Sequence, residues 1–232
     1  MSIPEKQNPR VANLYYSGII GLAGAIMVGI GEFILHYSAG AYGSKGFDFF
    51  QQIADWRLTY GYFIVLVFTP LYIMGYWHLY LALCPKNKAL ARVLFFTGGF
   101  AIVVGSIWIG SRAILGAIVK SGQEVGSSLE IDYLLTFYEG HYEVIWTLVT
   151  AVGLLISIVF IIIILRGHSL YPRWMIYCNP LLLATLPYQI NYILPAVGQY
   201  LVPMGFNFGH TILFSLSLWL SRPHWGNFNV EK

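Results

Sequence analysis

Residues 15–37 read YYSGIIGLAGAIMVGIGEFILHY. The stretch is apolar almost throughout, yet Glu32 and His36 stand one helical turn apart near its end. Counting back at spacings of three and four gives His36, Glu32, Gly29, Ala25, Gly21 and Gly18, so this face is small until the two ionisable residues appear. Residues three and four apart share a helix face, and in a membrane small residues mark where a neighbouring helix comes close. The pattern predicts a membrane-spanning helix whose polar end faces protein, not lipid.

Composition supports that class for the whole chain. Hydrophobic residues make up 57% of the 232 and charged residues 10%, against roughly 25% charged in a soluble domain. The mean hydropathy is +0.66. So few charges do not coat a water-facing surface. Six apolar stretches approach the roughly 20 residues that span a bilayer, at about 14–37, 58–84, 91–119, 142–165, 174–198 and 203–221. The expected fold is an all-α, six-helix membrane bundle forming a single polytopic domain over residues 1–232. Ala39-Gly40-Ala41 resembles a signal-peptidase site, but the apolar run before it exceeds the roughly 7–15 residues of a signal core. The first helix is expected to be retained. No soluble domain, long linker, low-complexity tract or internal repeat stands out.

Lys and Arg alternate between the connections. Lys6 and Arg10 precede the first helix, Lys86, Lys88 and Arg92 fill the second loop, Arg166 and Arg173 the fourth, and Arg222 and Lys232 the C-terminus. The other loops hold only Lys45, Arg57 and Lys120, the third with Glu124, Glu130 and Asp132 beside it. The positive-inside rule then places both termini in the cytoplasm. Cys84 and Cys178 fall at inner helix ends on the reducing side, so a structural disulfide is not expected. The formal charge of +3 follows from the same bias. No loop carries a basic patch interleaved with aromatics, so nucleic acid is not an expected partner. The expected partners are the lipid bilayer and an amphipathic small molecule or lipid.

Three more helices carry polar or small stripes: Gly98, Ala101, Gly105, Trp108, Arg112 and Gly116 in the third; Glu139, Glu143, Thr147, Thr150 and Ser157 in the fourth; Asn207, His210, Phe214, Ser217 and Ser221 in the sixth. Under the inferred topology Glu32 and His36 lie near the outer end of helix one. At about 1.5 Å per residue, Arg112 and His210 lie roughly 10 Å below the outer ends of their helices. Glu139, His141 and Glu143 stand at the outer mouth of helix four, and Gln189, Asn191 and Tyr192 in the outer half of helix five. Polar groups therefore collect in the outer third of the membrane. A charge at a helix centre costs about 2.5–3.5 kcal/mol on insertion scales, so grouping several argues for a use.

Helix five, NPLLLATLPYQINYILP, has prolines at 180, 187 and 195. Each removes a backbone hydrogen bond, and a proline kink before Tyr188, Gln189, Asn191 and Tyr192 would open the wall of an outward-facing cavity. Ordinary kinking of a membrane helix is the competing reading.

Three chemistries fit the outer cluster. Glu32, His36, Glu139, Glu143 and His210 offer ligands for a divalent metal such as zinc, which takes two histidines and a carboxylate in catalytic sites. No His-x-x-x-His pair supports that set. Alternatively Glu32, His36, Glu143 and His210 act as acid–base catalysts in a lipid-modifying enzyme of hydrolase or isomerase type, because desolvation favours the neutral forms of carboxyl and imidazole groups. Arg112, Trp108, Gln189, Asn191, Tyr192 and Asn207 would then bind substrate, with Arg112 holding an anionic headgroup. In the third reading Arg112 is neutralised by Glu32 or Glu143, and the histidines are interhelical glue. A transporter, a receptor for a small hydrophobic ligand, and a haem protein with His36 and His210 as axial ligands are further alternatives. His78, among Tyr76, Trp77 and Tyr80, is expected in the inner aromatic belt, while His168 and His224 are expected in solvated loops.

Overall fold

The computed structural model describes residues 9–39, 46–85, 87–126, 128–167 and 169–222. Lys6, Gly40, Ala41, Lys45, Lys86, His168, His224 and Lys232 lie outside them. Seven α-helices are described: α1 (Pro9–His36), α2 (Asp55–Leu83), α3 (Lys88–Val125), α4 (Leu129–Arg166), α5 (Pro180–Ile193), α6 (Pro195–Leu201) and α7 (Gly205–Ser221). Short 3-10 turns at Asp48–Gln52, Arg173–Cys178 and Val202–Met204 join them. Among the described residues there is no strand. Among the described residues five helical stretches are long and apolar enough to cross a bilayer: Ala12–His36, Asp55–Leu83, Lys88–Gly122, Leu129–Arg166 and Pro195–Ser221. Large apolar side chains such as Val67, Phe96, Ile107 and Val144 are exposed on the outer faces of α2, α3 and α4. These features are consistent with a multi-pass membrane protein.

Two elements differ from the sequence expectation. The fourth helix begins at Leu129 rather than near 142, so His141 lies on the helix and not in a loop. Its charged start, Glu130 and Asp132, occupies the first turn, where carboxylates complement the helix dipole. The Ser128 hydroxyl accepts from the Ile131 amide and caps that end. Gly126, at φ +88°, ends α3 in a backbone conformation that glycine adopts readily. The fifth helix is not one kinked span over 174–198. A 3-10 turn ends at Cys178, Asn179 caps α5 through the Leu182 amide, and Pro180 opens it. Leu194 then leaves the helical region (φ −136°, ψ 73°), and Pro195 starts α6. Pro187 lies inside α5 without ending it. The 14 residues of α5 reach about 21 Å at 1.5 Å per residue, short of a hydrocarbon core of about 30 Å.

The tightest packing joins α1 and α2. A Cβ built on Gly21 would fall on the Gly75 backbone, and one on Gly24 on the backbone at Tyr72. A Cβ on Gly31 would stand 2.8 Å from the Gly61 carbonyl oxygen. Arg57 locks the top of the pair: its Nε donates to the Ile34 carbonyl (2.7 Å) and Nη2 to the Tyr37 carbonyl (2.6 Å). Those are the carbonyls a helix C-terminus leaves without partners. Helix α7 lies against α1 in the opposite direction, with Leu218 beside Gly18 and Asn207 beside Gly29.

His78 does not sit in an interfacial belt. It is fully buried, with Nδ1 2.7 Å from the Leu14 carbonyl and Nε2 2.6 Å from Ser217 Oγ. A carbonyl only accepts, so Nδ1 carries the proton and donates to Leu14, leaving Nε2 to accept from Ser217. Tyr171 Oη stands 2.5 Å from Ser217 Oγ and completes the chain. This relay ties the first turns of α1 and the last turns of α7 to one end of the bundle.

Because Gly21 meets backbone, Gly21→Leu has nowhere to place its side chain. Overpacking typically costs about 1–3 kcal/mol, so this variant should lower the melting temperature in detergent. Gly140→Ala, where a Cβ meets nothing within 4 Å, should not. Equal melting temperatures for the two would refute the α1–α2 contact.

Candidate functional site

A cavity of about 70 Å³ lies inside the bundle, walled by α1, α2, α3, α4 and α7 and by the start of α5. A water needs about 10–15 Å³ on the same measure, so the space holds several waters or part of a hydrocarbon chain. Two glycines on facing helices leave it open: a Cβ on Gly105 or Gly153 would meet nothing within 4 Å. The start of α5 borders the cavity through Pro180 and Leu181, and Ser157 of α4 accepts the Leu181 amide at 3.0 Å. That bond serves an amide which the helix itself leaves unpaired.

The cavity is mostly apolar, with polar groups gathered on the α1–α2–α7 side. Asn207 Nδ2 donates to Glu32 Oε2 at 2.6 Å, and both residues are buried. His36, one turn on, has Nδ1 3.8 Å from Glu32 Oε1. His210 Nδ1 donates to the Phe206 carbonyl at 2.9 Å. Its Nε2 is then the acceptor in the neutral ring, and the Tyr76 hydroxyl donates to it at 2.7 Å. Glu32, Asn207, His210, Tyr72 and Tyr76 all line the cavity.

Arg112 lies beside this group, half-buried on α3. Its guanidinium carbon is 5.2 Å from the Trp108 ring, 5.6 Å from Phe49 and 5.7 Å from Tyr142, with Phe47 at 5.8 Å and Phe50 at 5.9 Å. All fall within the roughly 6 Å reach of a cation–π contact. Arg112 acts electrostatically on Glu32 and His36, but among the described residues no carboxylate forms an ion pair with it.

The structure therefore brings together Glu32, His36, Trp108, Arg112, Asn207 and His210. It does not bring in the rest. Glu143 is exposed and Glu139 half-exposed on α4, away from the cavity wall. Thr147 and Thr150 are exposed as well, so the α4 stripe faces outward until Ser157. Gln189 and Tyr192 are exposed on α5, while Asn191 packs against Gly198 of α6. These residues do not form a substrate-binding wall with the others.

The metal set changes accordingly. Among the described residues no group of three or more His, Cys, Asp and Glu side chains is arranged to hold a metal ion. Of the five candidate zinc ligands, Glu32 and His210 line the cavity, while His36, Glu139 and Glu143 do not. Both nitrogens of His210 are engaged by protein, which also removes it as an axial haem ligand.

Sequence reasoning missed Tyr72 and Tyr76. Their signal was the run Thr69, Tyr72, Tyr76 at helical spacing on α2, all three buried and all lining the cavity.

Fold and cavity together define an all-helical protein, consistent with a multi-pass membrane protein, built around a partly polar internal space. The chain belongs to DUF6796, a family of unknown function, which it matches over residues 10–223. No curated protein and no solved structure matches it.

The Asn207–Glu32 bond generates a direct test. Asn207→Ala leaves a buried carboxyl group without its donor, which costs about 1–3 kcal/mol for an unsatisfied group. Unfolding in detergent should register a loss of that size. An unchanged stability would mean that water or another group serves Glu32.

Proposed function

We propose that the chain is a six-pass membrane protein with both termini in the cytoplasm, and that its internal cavity binds an amphipathic, lipid-like molecule. Two observations support the topology. His78 joins Leu14 and Ser217, so α1 begins and α7 ends at the same end of the bundle, as an even number of crossings requires. The loop charges set the direction. In this reading α5, with the turn at Arg173–Cys178, makes the fifth crossing. Cysteines introduced at Lys6 and Gly126, in a background with Cys84 and Cys178 replaced by serine, should label from opposite sides in intact cells. Labelling from one side would overturn the topology.

One observation carries the ligand reading. The cavity is mostly apolar along α3 and α4, with Ser106 the exception, while Glu32, Asn207 and His210 line it from α1 and α7. Ligand pockets combine an apolar body with a few placed polar groups in this way. Gly153→Leu should fill part of the space, because nothing lies within 4 Å of its Cβ position and the residue borders the cavity. The variant should fold, with a melting temperature at or above that of the parent. Mass spectrometry should find an amphiphile that copurifies with the parent and is lost from the variant. An equal lipid complement in both would refute the proposal.

A catalytic role is a second reading, favoured by Glu32 and the Tyr76–His210 pair facing one cavity. A bound amphiphile that is converted on incubation with the parent, but not with Glu32→Gln, would establish it. A ligand recovered intact from both would leave binding alone.

A further inference from the structure

We infer that Arg112, Trp108 and His36 form a binding site for the oxyanion of an acidic amphiphile, a carboxylate or phosphate whose chain runs into the cavity. The inference rests on the cavity reading for the chain, but the anion site has its own support.

Three buried nitrogens here lack a hydrogen-bond partner: Arg112 Nε, Trp108 Nε1 and His36 Nε2. More than nine-tenths of buried polar groups in native structures are paired, so three together call for a common explanation. They are close neighbours. The His36 and Trp108 rings are 6.1 Å apart between centroids, and the Arg112 guanidinium carbon is 5.2 Å from the Trp108 ring. His36 is 3% exposed and Trp108 8%. The Tyr142 hydroxyl approaches Trp108 and Arg112, and the Pro203 carbonyl approaches His36, closely enough for weak hydrogen-bond interaction, but none of these contacts reaches hydrogen-bond geometry at the three nitrogens.

The nitrogens are of one kind. Arg112 Nε and Trp108 Nε1 are obligate donors, and His36 Nε2 donates in one of its two neutral tautomers. In the Nε2–H tautomer of His36 all three need an acceptor. The aromatic cup holds the guanidinium plane and offers mainly ring faces; its one hydroxyl, on Tyr142, is shared between Arg112 and Trp108 and brings no charge. Glu32 cannot serve all three, because Asn207 occupies its Oε2 and its Oε1 is 3.8 Å from His36 Nδ1. A water accepts at most two hydrogen bonds and leaves the guanidinium charge uncompensated. An oxyanion supplies several acceptor lone pairs and the opposite charge together.

Trp108 connects this site to the cavity, since it lines one and belongs to the other. An oxyanion at Arg112 therefore leaves its chain pointing past Trp108 toward the open space at Gly105 and Gly153. Glu32 also lies on that wall and would compete for Arg112.

The test uses the full chain in phosphatidylcholine nanodiscs, with dodecanoate, dodecanol and inorganic phosphate as probes and partitioning into empty nanodiscs subtracted. Dodecanoate should bind at least tenfold more tightly than dodecanol. Arg112→Gln and Trp108→Phe should each bring the ratio of dodecanoate to dodecanol affinity toward one, whatever either does to dodecanol binding itself, and Glu32→Gln should strengthen dodecanoate binding. Trp108→Phe keeps an aromatic side chain, though a smaller one, and removes the indole N–H; the ratio of the two affinities cancels its effect on cavity volume, so it carries the test if Arg112→Gln fails to fold. Equal binding of dodecanoate and dodecanol, or a preference that survives both variants, would overturn the anion site while sparing the cavity reading. Inorganic phosphate binding through Arg112 with no binding of either twelve-carbon probe would overturn the amphiphile assignment and the cavity reading together.

Discussion

The contact on which the rest depends is the backbone-to-backbone approach of α1 and α2. In lipid no hydrophobic gain drives helices together, so association relies on close van der Waals packing and interhelical hydrogen bonds. Gly21 against Gly75 and Gly31 against Gly61 supply that closeness. They also fix the rotation of both helices about their axes. With α1 held on its glycine face, Glu32 and His36 can only point inward, and with α2 held likewise, Tyr72, Tyr76 and His78 face α7. Each polar residue near the core inherits its direction from a residue that has no side chain.

Once turned inward, these groups had to be satisfied, and the bundle does so unevenly. At one end the chain Tyr171–Ser217–His78–Leu14 gives every member a partner, which is what a structural tie requires. In the cavity wall Glu32 and His210 are each held by a neighbour as well. Beside them, Arg112, Trp108 and His36 each keep a nitrogen without one. An unsatisfied buried group costs about 1–3 kcal/mol. Three in one place stand out, because among the described residues no other buried side-chain nitrogen or oxygen lacks a hydrogen-bond partner.

That division also explains what could be read in the sequence. The stripes on α1, α3 and α7 were legible because small and polar residues recur at helical spacing, and on each the stripe does face the interior. The α4 stripe looked the same and faces outward. Threonine needs no neighbour: Thr147 donates to the Glu143 carbonyl at 2.9 Å and Thr150 to the Trp146 carbonyl at 2.9 Å, each one turn back. A polar residue that can satisfy itself on its own helix carries no information about burial. His78 failed in the opposite direction, since its partners lie 64 and 139 residues away and no local pattern announces them. In the fifth helix the prolines were visible, but not their separate effects. Pro180 and Pro195 open helices, and Pro187 is carried within one.

Glycine shows most plainly why residue type alone does not settle a site. On α1 and α2 glycine closes a gap; on α3 and α4 Gly105 and Gly153 leave one open. The difference lies in what stands beside them. Next to Gly21 and Gly31 the neighbouring helix offers glycine again, so the backbones meet. Next to Gly105 and Gly153 stand large rings: Trp108 packs on Trp146 at 5.3 Å between centroids, and Trp146 on Phe206 at 5.7 Å. These rings prop α3, α4 and α7 apart, so the missing side chains become empty space. Trp108 is at once such a prop, part of the cavity wall and a carrier of one unpaired N–H. The cavity and the group beside Arg112 are therefore consequences of one packing arrangement, and a change in the Trp108–Trp146 contact alters both.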